Sequence, residues 1–74
     1  MDFELCLMSL VALVNRPLLP HNLSRHIDTA VEPYLGSFRG DKASERLRIA
    51  TDLGDRAAGA PNAHVEAVQN YLRR

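Results

Sequence analysis

The sequence predicts an all-α fold, a small bundle of about four short helices, and three observations predict it. Apolar residues recur three and four positions apart in four separate segments, with no period-two alternation and no internal repeat. Most prolines and glycines fall between those segments, where they punctuate rather than interrupt. The 46% hydrophobic content comes mainly from Leu, Val and Ala, with no Trp and four aromatics, which suits a helical core and excludes a disordered chain.

The first helix is expected over the apolar stretch LCLMSLVALV, Leu5 to Val14, with Asp2 as its cap. Phe3, Cys6, Leu7, Leu10, Leu13 and Val14 share one face at the i, i+3, i+4, i+7 spacing, with Phe3, Leu7, Leu10 and Val14 assigned to the core. The opposite face, which ought to be polar, carries Leu5, Met8 and Ala12 among Glu4, Ser9, Asn15 and Arg16. A helix apolar nearly all round is enclosed on more than one side, either by the chain's other helices or by another protein.

Pro17 and Pro20 stop this helix, and the second is expected to start between Pro20 and Ser24, with Asn22 or Ser24 as its cap. Its apolar positions are Leu23, Ile27, Ala30, Val31, Tyr34, Leu35 and Phe38, and Pro33 predicts a kink or break near Glu32. The run Gly36 to Gly40 reads as a turn. Asp41 is the expected cap of a third helix whose inner face is Ala43, Leu47, Ala50, Leu53, Gly54 and Ala57, flanked by Ile49 and small enough for close approach by a neighbour. Glu45, Arg48, Asp52, Asp55 and Arg56 are placed on its solvated side, with Glu45–Arg48 and Asp52–Arg56 as ion pairs. Gly59, Ala60 and Pro61 end it. Pro61 suits the first turn of a fourth helix, which buries Val65, Val68, Tyr71 and Leu72 and closes with Arg73 and Arg74 at its negative end.

Residues 1–74 are read as a single domain. A chain of this size hides only about 60% of its unfolded surface, so small domains often lean on disulfides, a metal or association. Cys6 is the only cysteine, which rules out an internal disulfide and leaves association, with a homodimer expected. Nine basic and nine acidic side chains cancel, so the net field favours neither nucleic acid nor an anionic membrane. Asp2 and Glu4 precede the apolar run where a secretory leader wants cations, and about ten residues is half the ~20 that span a bilayer. A cytoplasmic protein is expected, and eight Arg to one Lys with nine Ala suits a GC-rich bacterial or phage source.

No catalytic constellation is expected. Cys6 sits on the apolar face of the first helix, the serines lie in no nucleophile elbow, and there is no phosphate loop. His21 and His26 are five apart and share no helix face, so neither metal nor cofactor is assigned, and His64 reads as a surface residue. Arg39-Gly40-Asp41 spells an adhesion tripeptide but is read as a turn followed by a cap.

Two functional readings remain. In the first, the protein is a non-enzymatic interaction module, an adaptor, inhibitor or regulatory subunit, that binds another protein through Leu5, Met8, Ser9 and Ala12. Met8 suits such a surface because its thioether adapts to irregular pockets. In the alternative, residues 47–74 resemble a helix-turn-helix, with Ala50 as packing residue, Gly54 as turn residue, and Asn62, Arg73 and Arg74 as DNA contacts. The segment from Gly54 to Pro61 is long for that turn, residue 55 is Asp where an apolar side chain is favoured, and the fourth helix begins without a cation.

Overall fold

The computed structural model describes the backbone of residues 3–16 and 20–74 and the side chains of residues 3–16 and 24–74. Four helices follow one another, α1 (Phe3–Val14), α2 (Pro20–Ser37), α3 (Lys42–Arg56) and α4 (Asn62–Leu72), and among the described residues there is no strand. The expected roles of Asp2, Pro17 and the side chains of His21, Asn22 and Leu23 lie outside the described residues.

Helix α1 contacts each of the other three helices. Its Cys6, Leu7, Leu10, Leu13 and Val14 join Ile27, Val31 and Leu35 of α2, Ile49, Ala50 and Leu53 of α3, and Val68 and Leu72 of α4 in one buried cluster. The accessible surface is 4610 Å², close to the roughly 4,500 Å² expected of a folded monomer of this mass. The total surface is thus that of an ordinary folded monomer.

Helix α2 departs from expectation at both ends. It begins at Pro20, so Asn22 and Ser24 stand inside the helix rather than at its cap. It also runs through Pro33 without a break and ends only at Ser37, so Gly36 and Ser37 belong to the helix and the turn shortens to residues 38–41. Pro33 and Thr29 are both exposed. On this exposed side water can satisfy the carbonyl that loses its donor to the proline, which blunts the usual penalty for a helical proline. The Phe38 ring lies against Gly40, where a Cβ would come within 3.0 Å of it.

Asp41 caps α3 as expected, accepting from the backbone N–H of Ala43 (3.0 Å) and Ser44 (3.3 Å) and from the Ser44 hydroxyl (2.7 Å). Those bonds hold its carboxyl below the usual carboxylate range. A group depressed in the fold contributes stability above its ordinary pKa and loses it as pH falls through the folded value. Asp41→Ala should lower the melting temperature at neutral pH, and the difference from wild type should shrink in acid. Circular-dichroism melts across that range check this, and a pH-independent difference would refute the cap's electrostatic part.

The inner face of α3 is rotated from the expected one. Ile49, Ala50, Leu53 and Ala57 are buried, but Ala43 is exposed and Leu47 is 48% exposed. Glu45, expected on the solvated side, is 7% exposed. The rotation lets the Tyr34 hydroxyl donate to Glu45 Oε1. It also keeps Ile49 rather than Leu47 in the core. The Glu45–Arg48 pair forms at 3.2 Å. Arg56 does not serve Asp52 as expected but pairs across the bundle with Glu4.

Helix α4 buries Val68 and Leu72 and half-buries Val65 and Tyr71. Pro61 occupies the cap position, its carbonyl accepting from His64 and Val65. The small face of α3 does admit a close neighbour, since Gln69 reaches across Gly54 to donate to the Ala50 carbonyl at 2.9 Å. The guanidinium that reaches the last carbonyls of α4 is that of Arg46, which donates to Leu72 and Tyr71, each at 3.3 Å.

Candidate interaction surface

Nine of the twelve residues of α1 fall on two opposed sides. Cys6, Leu7, Leu10, Leu13 and Val14 are buried, while Leu5, Met8, Ser9 and Ala12 are all exposed, Leu5 by 53% and Met8 by 59%. At 100° per residue, positions 5, 8, 9 and 12 form one continuous strip opposite the core side. Among the described residues neither α2 nor α3 reaches over it, and this second side of the apolar helix is open.

The strip is a ridge with a depression on each flank. Toward α3, Met8, Val11, Ala12 and Arg56 line an open, mostly apolar groove of about 410 Å³. Toward α2, Ser9, Leu13, Arg16, His26, Thr29 and Ala30 line a more polar cleft of about 260 Å³. Three of the four residues singled out in the sequence line these depressions, Met8 and Ala12 the first and Ser9 the second, while Leu5 stands at the N-terminal end of the ridge.

Val11, Arg56 and the α2 wall were not singled out from sequence. Val11 lies at the margin of both faces of α1. Arg56 and His26 are remote in sequence and come alongside α1 only through packing.

Covering what remains exposed of Leu5 and Met8 is worth about 2 kcal/mol together, taking half of the ~1.5–3 kcal/mol assigned to burying each side chain. A micromolar complex needs about 8 kcal/mol net of association costs. A partner must therefore fill the grooves as well as cover the ridge.

The residues of the DNA-binding alternative do not converge. Asn62 is exposed at the start of α4 and Arg73 and Arg74 are exposed beyond its end, about 16 Å away along the axis at 1.5 Å per residue. Arg74 lies over the Tyr71 ring, 5.4 Å from its centroid. Gly54 is helical and no glycine has positive φ among the described residues, so Gly54 makes no turn.

Two other expectations can be placed. Burial pushes the Cys6 thiol pKa up, away from nucleophilic reactivity. His64 is half-buried rather than a plain surface residue, its Nδ1 standing 3.0 Å from the Val14 carbonyl. A carbonyl only accepts, so Nδ1 carries the proton in this bond and ties the first turn of α4 to the end of α1. Among the described residues no group of three or more His, Cys, Asp or Glu could hold a metal, and no helix is long and apolar enough to cross a membrane.

Neither a protein-family model, nor a curated protein, nor a solved structure matches the chain. The functional reading therefore rests on residues and geometry.

Proposed function

We propose that this protein works without catalysis, by binding another protein through the exposed strip of α1, as an adaptor, inhibitor or regulatory subunit in the cytoplasm. The observation that carries the reading is the exposure of Leu5 and Met8 on a helix whose other face is fully buried. Self-association of two copies through the same strip is the competing use of the surface, in keeping with the homodimer expected from the chain's size.

The test compares Met8→Glu with Leu47→Glu. Both replace an exposed apolar side chain, but Leu47 lies on α3 outside the strip. Wild type and Leu47→Glu should retain the same protein partner in affinity capture and the same sedimentation coefficient. Met8→Glu should lose the partner, or change the sedimentation, with its helicity intact and its stability within about 0.5 kcal/mol of wild type. Retention of partner and sedimentation by Met8→Glu, or its unfolding, would remove the proposal.

A further inference from the structure

The cleft between α1 and α2 differs in chemistry from the groove on the other flank of the ridge. Leu13 and Ala30 supply apolar wall, and Arg16 and His26 supply nitrogen donors. The two hydroxyls in it are already committed: Ser9 donates to the Leu5 carbonyl and Thr29 to the Arg25 carbonyl, both at 3.0 Å. That leaves the Arg16 guanidinium and the His26 ring as the side-chain donors lining the space. Among the described residues none pairs with Arg16, and no carboxylate lines the cleft. The other guanidiniums near α1 are occupied, Arg48 by Glu45 and Arg56 by Glu4.

We infer that this cleft is a carboxylate subsite, receiving an acidic side chain of the protein that docks on the α1 strip. The inference rests on the interaction reading above and adds the partner's chemistry to it. A glutamate suits the lining: its methylenes meet Leu13 and Ala30, and its carboxylate meets a guanidinium fork whose geometry matches two oxygens. The docking segment is thus apolar where it covers Met8 and Ala12 and acidic where it passes Arg16.

The test is a nitrogen–proton NMR titration with sodium acetate against sodium chloride at equal ionic strength. Acetate should shift the Arg16 Nε–Hε signal and the amides of Ser9 and Ala30 saturably, and chloride should not. Arg16→Gln should weaken the acetate response about tenfold, the loss expected for one charge-assisted hydrogen bond. Leu47→Glu, on α3 and outside both the strip and the cleft, should leave that response unchanged. Identical effects of acetate and chloride, equal acetate shifts at the exposed Arg25 and Arg39, or a response to phosphate but not acetate would each overturn the subsite. If acetate fails while Met8→Glu still expels the partner, only the subsite falls. If Met8→Glu keeps the partner, the docking reading falls and the subsite's role with it.

Discussion

Leu10→Ala should lower the unfolding free energy by about 3 kcal/mol, whereas Leu5→Ala, the same change five residues away on the same helix, should cost about 1 kcal/mol or less. Leu10 is fully enclosed in the core cluster, and Leu5 is 53% exposed. Helix propensity changes equally in the two variants, so it cancels in the comparison. What remains is lost transfer energy plus the void at Leu10, against a side chain already half in water at Leu5. For a domain of this size the Leu10 loss corresponds to a melting temperature lower by roughly 12–24 °C. Thermal and urea unfolding of the isolated protein measure both. Comparable losses at the two positions would mean that α1 is enclosed on both sides in solution, and the open strip would not exist.

The grouping of α1 residues into two faces was legible because it depends on periodicity alone, whereas whether the chain's own helices cover the back was left open by the sequence. Twelve residues of one helix fix which positions share a face, and the surplus of apolar residues on the back needs no tertiary knowledge. The Asp41 cap was legible for the same reason, since a short polar side chain two and three residues before its donors is a local matter. What the strip borders was not legible. The Glu4–Arg56 pair spans 52 residues and the α2 wall of the cleft is set by how two helices lie together, neither of which a sequence pattern encodes.

Helices α2 and α3 mark where local rules meet tertiary context. A proline predicts a break because a helix interior needs its donor, yet at position 33 the affected turn faces water. On α3 the expected face, which held Leu47, and the observed one, which holds Ile49, have Ala50, Leu53 and Ala57 in common. Hydrophobicity alone does not choose between two large aliphatic residues. The choice falls to Glu45, which turns inward because Tyr34 waits there with a hydroxyl to donate, a pairing eleven residues apart that links α2 to α3.

That pairing carries the second large effect. Glu45 is almost fully enclosed and accepts from Tyr34 and from Arg48, and Arg48 in turn lies over the Phe3 ring at 4.3 Å. Glu45→Ala should cost about 2 kcal/mol, near the lower part of the range for a hydrogen bond to a charged group, because the half-buried Tyr34 hydroxyl can turn to water once its acceptor is gone. Arg48 is 60% exposed at its side chain, so the ion pair itself adds little. Glu45→Gln keeps an acceptor for Tyr34 and should lose distinctly less than Glu45→Ala. If the two variants melt together, charge rather than the hydrogen bond holds this corner.

Tyr34→Phe should cost about 1 kcal/mol and couple to Glu45→Ala in a double-mutant cycle. The bond donated to Glu45, then burial, raises the Tyr34 pKa, and the bond to Asp28 does the same for Tyr71. A phenol raised in the fold gives its full contribution below its ordinary pKa and loses it as pH climbs through the folded value. Wild type should therefore lose stability in alkali faster than the Tyr34→Phe, Tyr71→Phe double variant. Parallel alkaline melts of the two proteins would show that neither hydroxyl steadies the bundle.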